Sequence, residues 1–276
     1  MVTVKPVPLI VTATRGVRVP TDVMSFNLRH AGDKRPNSWA ERRPAMAELL
    51  RATRPAVIGT QEGLFQQLRD IEADLDRRYA WIGTGRSGGS RGEFMAVFYD
   101  SGRLAPVEYE HYWLSDTPDV IGSNTWGGSS IRMVTWVRLR DLWTGGEFYV
   151  VNTHLDVSSR LARTRSAELI ASRLGDLDGS LPVILTGDFN VPAHADPVYD
   201  TLLGAGLADS WDSAERRGTA YATFHGYGPL VPDGDRIDWI LTSPGVRTLS
   251  AEIDTFSLGG QFPSDHLPVR ARLALP

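Results

Sequence analysis

Asp188 and Asn190 stand two residues apart in Thr186-Gly187-Asp188-Phe189-Asn190, directly behind the apolar run Leu181-Pro182-Val183-Ile184-Leu185. Residues two apart in extended backbone project to the same side. A buried strand would therefore deliver a carboxylate and a carboxamide together at its C-terminal end. Such a pair can hold a water and polarise an oxygen. Asp and Asn also end strands and begin turns for local reasons, so the pair gains meaning only from its company. Val23-Met24-Ser25-Phe26 ends in Asn27, and Val57-Ile58-Gly59-Thr60 ends in Gln61-Glu62. Phe148-Tyr149-Val150-Val151 ends in Asn152-Thr153-His154, and Arg236-Ile237-Asp238-Trp239-Ile240 and Ser264-Asp265-His266 close the series. Strand ends converging on one rim are where α/β proteins build sites.

The ligand candidates Asn27, Glu62, Asp188, Asn190, Asp265, His154 and His266 offer only oxygen and imidazole. Hard oxygens suit Mg²⁺, with Mn²⁺ as a substitute. Histidines beside such a cluster serve more naturally as phosphate donors or acid/base groups than as metal ligands. The chemistry described is attack of water on a phosphoryl group with metal-assisted charge stabilisation.

The elements that must position these groups are legible as apolar runs. Strands are expected over Val23–Asn27, Ala56–Gln61, Tyr79–Gly83, Phe94–Tyr99, Ile131–Leu139, Phe148–His154, Val183–Asp188, Arg236–Thr242 and Pro268–Leu273. Helical spacing covers Trp39–Thr53 and Ser158–Leu174, where Ser158 or Ser159 can cap, and helices are also expected at Phe65–Asp76 and Pro197–Ala205. Strands alternating with helices in both halves indicate an α/β fold with two packed sheets. Residues 1–20 read as an N-terminal extension or edge strand, and 21–276 as a single domain. Gly83–Gly92, Val120–Ser130 and Gly218–Gly234 are Gly-rich or aromatic loops of a length that usually carries function.

At 276 residues and 42% apolar content the chain can bury a sizeable core. A formal net charge of −4 supplies no global field to draw in nucleic acid. Cysteine is absent, which excludes disulfides, zinc–thiolate sites and thiol nucleophiles. No window is long and apolar enough to span a membrane. The N-terminal apolar run is short and interrupted by Pro6 and Pro8, unlike a signal peptide. A cytoplasmic location is the simpler expectation, with secretion implied only if a leader had been removed.

Taken in order, Ser25-Phe26-Asn27-Leu28-Arg29, Gln61-Glu62, Asn152-Thr153-His154-Leu155-Asp156, Gly187-Asp188-Phe189-Asn190, Ile237-Asp238-Trp239 and Ser264-Asp265-His266 resemble the endonuclease/exonuclease/phosphatase, or deoxyribonuclease-I-like, family. The segment Tyr112-Trp113-Leu114-Ser115-Asp116-Thr117-Pro118 further resembles a bacterial branch near its nocturnin-like members. The resemblance implies a four-layer αββα sandwich with two packed, largely antiparallel mixed β-sheets, and a divalent-metal phosphoesterase. It implies Glu62 as principal Mg²⁺ ligand, with Asn27 and Asp265 assisting. Asp188 would orient or deprotonate the attacking water, and Asn190 would hold the water or a phosphoryl oxygen. His154 and His266 would donate to the phosphate as negative charge grows. Asp238 would fix the tautomer of His266, Glu93 would partner His154, and Arg132 would contact phosphate.

A histidine taken singly is more often structural, but His154 and His266 each end an apolar strand and have a named acidic partner. His30 and His111 are candidates to line the cleft, while His194 and His225 read as surface or loop groups; Asp156 and Asp196 have turn or helix-entry explanations. Gly85-Arg86-Ser87-Gly88-Gly89 and Gly88-Gly89-Ser90-Arg91-Gly92 fit G-x-S-x-G, but a strand follows where the serine-hydrolase elbow needs a helix. Asp188-Phe189-Asn190 opens like a calcium loop, and Pro192 and Ala193 break that pattern. The expected activity is Mg²⁺-dependent hydrolysis of a phosphomono- or phosphodiester on a small phosphorylated molecule, with no obligate protein partner. The alternatives are a nuclease acting on a short or single-stranded nucleic-acid end, and a catalytically silent binding module on the same scaffold.

Overall fold

The computed structural model describes residues 19–75 and 78–276. The expected extension therefore lies outside the described residues except for Val19 and Pro20, as does Asp76, the expected end of one helix. One six-stranded sheet has the order β11 (Arg247–Ile253), β12 (Val269–Ala274), β1 (Thr21–Asn27), β2 (Val57–Gln61), β4 (Val97–Asp100), β3 (Tyr79–Ile82). The second has the order β5 (Leu104–Trp113), β6 (Met133–Asp141), β7 (Glu147–His154), β8 (Val183–Asp188), β10 (Asp238–Thr242), β9 (Ala208–Asp209). Each is antiparallel except for one parallel pair, β1–β2 and β7–β8. Parallel neighbours need a crossover, which α1 (Trp39–Thr53) and α3 (Arg160–Leu174) supply.

Alternation along the strands sorts side chains between two faces. Val23, Val57, Val137, Val150, Ile184, Ile240 and Val269 fill the space between the sheets. On the outer face of the first sheet, Met24, Phe26, Ile58 and Phe98 pack against Met46 and Leu50 of α1 and Leu68 and Ile71 of α2 (Phe65–Asp74). On the outer face of the second, Val151, Leu185 and Trp239 pack against Ala167 and Ile170 of α3 and Val198 and Leu202 of α4 (Pro197–Gly204). Helix, sheet, sheet and helix thus form the expected four-layer sandwich. Ser159 caps α3 by accepting from Ala162 N at 3.2 Å, and Asp196 caps α4 by accepting from Val198 N at 3.0 Å.

Strands β5, β9 and β11 and the short α5 (Ser210–Ser213) have no counterpart among the expected elements. β5, β9 and β11 are edge strands, and the outer side of β11 is paired by the 215–218 segment, which bonds Thr248 and Ala251. β5 carries Pro106, Glu108 and Glu110 on a largely exposed stretch, a composition that blunts edge pairing and erases an apolar run.

The inter-sheet core turns polar toward the rim where β1, β2, β7 and β8 end. Asn152 Oδ1 accepts from Gln61 Nε2 at 2.7 Å and Thr186 Oγ1 at 3.0 Å, while Asn152 Nδ2 donates to Thr60 O at 2.8 Å. All of these groups are buried; the bonds to Gln61 and Thr60 run from one sheet to the other, and the bond from Thr186 fixes Asn152 within its own sheet. Gly59 permits the approach, since a Cβ there would stand 2.0 Å from Thr186 Oγ1 and 2.8 Å from Asn152 Oδ1. Gly59→Ala is therefore expected to destabilise the fold by about 2 kcal/mol or more through overpacking, read as a lower denaturant midpoint with an unchanged slope. An unchanged midpoint would show that the sheets part without cost.

Candidate active site

Asp188 ends β8 with 1% exposure and lies at the centre of the converging strand ends. In register it faces His154 across the parallel β7–β8 pair and Asp238 across the antiparallel β8–β10 pair. Phe189 and Trp239, the residues after the two carboxylates, stack at 4.1 Å and 12°, so aromatic packing locks that register. Asp188 Oδ1 accepts from Asn190 N at 2.9 Å, and Oδ2 accepts from Asn27 Nδ2 at 2.9 Å. His266 Nδ1 meets Asp238 Oδ2 at 2.9 Å, and its Nε2 stands 3.8 Å from Asp188 Oδ2. Burial, with the charge of Asp238 behind it, pushes the Asp188 carboxyl up to about 7. Burial works against an imidazolium at His266, but Asp238 and Asp188 outweigh it and raise the group to about 10. At neutral pH His266 is thus a buried cation held between two acids, with its Nε2–H turned toward Asp188.

His154 behaves in the opposite way. Burial and then the charge of Arg132 hold it well below the usual imidazole range, so it is neutral. Asn190 Nδ2 donates to Leu155 O at 3.0 Å and lies 2.9 Å from His154 Nε2. Because the amide nitrogen is a donor, Nε2 accepts and the ring proton falls on Nδ1. Nδ1 is buried without a partner. In this arrangement the His154 Nε2 fixes the Asn190 carboxamide and lies 3.4 Å from Asp188 Oδ2. The expected Glu93–His154 pair is not formed. Glu93 Oε2 accepts from Arg86 Nη1 at 2.6 Å, because the intervening loop folds Arg86 back onto it. Arg132 lies in the same neighbourhood, 7% exposed, with Nε and Nη1 buried and unpartnered.

The other side of Asp188 is acidic. Asn27 Nδ2 also donates to Glu62 Oε1 at 3.1 Å, while Asn27 Oδ1 accepts from Arg29 N at 2.9 Å. Asn27 therefore bridges the Glu62 and Asp188 carboxylates through its nitrogen. A neutral amide between the two carboxylates relieves their repulsion. Burial opposes the Glu62 charge, but the Asn27 bond, His266 and the His30 N–H bring its carboxyl below the usual range. Burial raises Asp265 against the opposing charges of His266 and Arg29. Arg29 reaches into the bay between these acids, with Nη1 3.9 Å from Glu62 Oε2 and Nε 3.6 Å from Asp265 Oδ2. Arg29, Glu62 and Asn190 all have positive φ, at 51°, 61° and 55°. A non-glycine residue in so sparsely populated a region costs about 1–3 kcal/mol, so the surrounding bonds must impose these turns.

Arg42 is one source of that imposition and escaped the sequence reading. It is completely buried in α1 and donates to five carbonyls: Leu28, Arg29, His30, Asn37 and Pro263. It thereby clamps the turn after β1 to the segment before Asp265. Its position in an amphipathic helix gave no signal beyond an ordinary surface arginine. Of the remaining histidines, His30 donates its N–H to Glu62 Oε2 at 3.2 Å, and His111 lies on edge strand β5 against Thr135. His194 is exposed, 3.0 Å from Asp212. His225 is in a loop but buried, facing Ser264 O at 3.2 Å while its N–H holds Asp265 O at 2.9 Å. Phe224, half-exposed, packs 5.0 Å from the His266 ring.

The Trp113-to-Thr117 segment braces two rim loops. Trp113 Nε1 donates to Arg86 O at 2.7 Å in the Gly83–Gly92 loop. Asp116 accepts from Trp126 Nε1 at 2.8 Å and Thr125 Oγ1 at 2.7 Å in the Val120–Ser130 loop. Asp156 has the expected turn role, accepting from Ser158 N and Ser159 N. Its second oxygen additionally takes Ser129 Oγ and Ser130 N, just ahead of Arg132.

A two-sheet sandwich with carboxylates and histidines gathered on one rim is the architecture of deoxyribonuclease-I-like hydrolases. The sequence profile of the Endonuclease/Exonuclease/phosphatase family matches residues 24–266, and the chain belongs to that family, whose members hydrolyse phosphoester bonds. Among solved structures it is similar to an endonuclease/exonuclease/phosphatase of Bacteroides vulgatus, with 31% identity and a TM-score of 0.88 over 94% of this chain and 100% of that one. It is similar also to the mannosyl-6-phosphatase of Bacteroides thetaiotaomicron, with 34% identity and a TM-score of 0.86 over 92% and 99% of the two chains. The human nocturnin catalytic domain shares the fold at 18% identity, with a TM-score of 0.74 over 94% and 96%. No curated protein sequence matches the chain.

The electrostatics of the Asp238–His266 pair can be checked directly. The His266 ring should show no titration between pH 5 and 8 by NMR, because its proton is released only near the raised value. Asp238→Asn removes the largest stabilising charge and should bring the titration down into the measured window. A His266 ring that titrates near 6.5 in the unmodified protein would refute the buried imidazolium.

Proposed function

We propose that this chain is a divalent-metal-dependent phosphomonoesterase that cleaves a small phosphorylated molecule with activated water. The observation that carries the reading is the buried Asp188 carboxyl, held close to neutrality at the meeting point of the His266 imidazolium and the acidic bay of Glu62 and Asp265. A group with that titration, at hydrogen-bonding reach of a water, suits proton abstraction at neutral pH. The similarity to a mannosyl-6-phosphatase at 34% identity favours a monoester of a small molecule.

The acidic bay fits a hard cation. Glu62 and Asp265 converge on a positive group, which is here the Arg29 guanidinium, and their oxygens suit Mg²⁺ or Mn²⁺. When bound there, the metal would supply Lewis-acid polarisation of a phosphoryl oxygen. The chain's own groups divide the remaining work. Asp188 takes the proton of the attacking water, and Asn190, fixed by His154 and Leu155 O, orients that water through its free oxygen. His266 Nε2–H and the unpartnered Arg132 guanidinium face the negative charge that grows on the phosphoryl oxygens. Asp238 keeps His266 protonated and pointed.

The net charge of −4 and the acidic rim disfavour a polynucleotide, and retention of every acid and histidine of the site disfavours a silent binding module. Asp188→Ala and His266→Ala are each expected to lower kcat on 4-nitrophenyl phosphate by about 10²–10⁴-fold with an unchanged circular dichroism spectrum. Chelation should remove activity and Mg²⁺ should restore it. Full activity in either variant, or in chelator, would sink the assignment.

A further inference from the structure

Glu93 follows the Gly83–Gly92 loop and lies beside the proposed metal carboxylate. Phe94 N donates to Gly63 O at 2.8 Å, which aligns the residue after Glu93 with the residue after Glu62. Arg86 crosses its own loop to reach Glu93. The loop is braced from within by Arg86 N to Glu93 O at 2.9 Å, Gly85 N to Gly89 O at 2.8 Å and Ser87 N to Arg91 O at 3.1 Å. Gly88, Gly89 and Gly92 take the positive φ values that the reversal needs. Trp113 holds it from outside through Arg86 O. The Arg86–Glu93 pair is therefore a rigid fixture, its side chains 19% and 15% exposed.

Only one bond joins the two side chains. Glu93 Oε1 and Arg86 Nε and Nη2 make no hydrogen bond among the described residues, and none of them is a buried orphan. They are consequently not sealed from solvent. One free acceptor beside free donors, held in a fixed geometry, matches a pair of neighbouring hydroxyls, each of which can give and take a hydrogen bond. Such a fixture suits a hydroxylated group attached to the scissile phosphate.

We propose that Arg86 and Glu93 form a hydroxyl-reading subsite for the leaving group, and that the substrate is a hexose or similar polyol phosphomonoester. This rests on the phosphomonoesterase reading above. In the reaction the water oxygen forms the new bond to phosphorus and the ester P–O bond breaks. The departing sugar oxygen keeps the electron pair and takes up a proton, releasing inorganic phosphate and the free sugar.

The test compares kcat/KM for mannose 6-phosphate and glucose 6-phosphate with that for 4-nitrophenyl phosphate, which has no hydroxyls, in Mg²⁺. Glu93→Gln keeps the shape and is the first variant, with Arg86→Gln as the second and circular dichroism as the folding control. Each variant should lower the hexose-to-nitrophenyl ratio by about ten-fold, the loss of one charge-assisted hydrogen bond, chiefly through KM. An unchanged ratio, whether both rates fall together or neither falls, overturns the subsite. Preference of the unmodified enzyme for a thymidine dinucleotide over both hexose phosphates also overturns it. Inactivity of the unmodified enzyme on all three phosphomonoesters overturns the phosphomonoesterase reading and this one with it, which separates the two failures.

Discussion

Two carboxylates buried side by side set the terms for the rest of this structure. Asp188 and Asp238 face each other in register across β8 and β10 at 1% exposure each, a placement that repulsion and desolvation both oppose. It is tolerable because His266 brings a buried positive charge to both, bonding Asp238 directly and facing Asp188 through its other nitrogen. The charges do not divide equally. Asp238 has His266 as a hydrogen-bonded counter-ion, whereas Asp188 takes its bonds from the neutral donors Asn27 and Asn190. That inequality separates the roles of the two acids: one fixes a histidine, and the other is left near neutrality with a proton to exchange.

The fold supplies the coincidence of so many groups by using the same device twice. A parallel strand pair with a helical crossover ends in Asn27 and Gln61 in the first sheet and in His154 and Asp188 in the second. Packing the two sheets face to face brings the four strand ends together. The bonds from Asn152 to Gln61 and to Thr60 O then fix the inter-sheet distance directly below the site. A site built from long-range strand ends has little local flexibility to absorb error. Its precision depends on that polar layer and on Arg42, which joins the turn after β1 to the segment before Asp265.

What the sequence made legible follows from this construction. Each site residue at a strand end announced itself, because an apolar run stopping at a polar group has few structural excuses and recurred in a fixed order. The strands of the sheet centres were readable for the same reason. The edge strand β5 was not, since its exposed Glu108 and Glu110 serve the edge and not a core. Partner choices were the least readable part. Glu93 bonds Arg86 and not His154 because a glycine-rich loop of unforeseeable path folds one residue back onto the other. Asn27 turned its nitrogen, not its oxygen, to the acids because a neighbouring N–H claimed the oxygen. Arg42 carried no pattern at all, since its five acceptors are backbone carbonyls from separate segments.

The rim as a whole divides by charge across Asp188. Glu62 and Asp265 make one side an acidic bay around the Arg29 guanidinium, while neutral His154 and buried Arg132 line the other side. On the proposed function, a phosphoryl group would lie across that divide, with part of its charge toward Arg132. The Arg86–Glu93 pair stands beyond this seam, already neutralised within itself, so it adds direction without adding field. The Trp113-to-Thr117 segment ties that pair's loop to the loop bearing Trp126. The chemistry of the centre and the shape of its rim are thus held by different parts of the chain. On the proposed function, changing the rim loops would alter which alcohol departs while leaving Asp188, His266 and Asp238 in place.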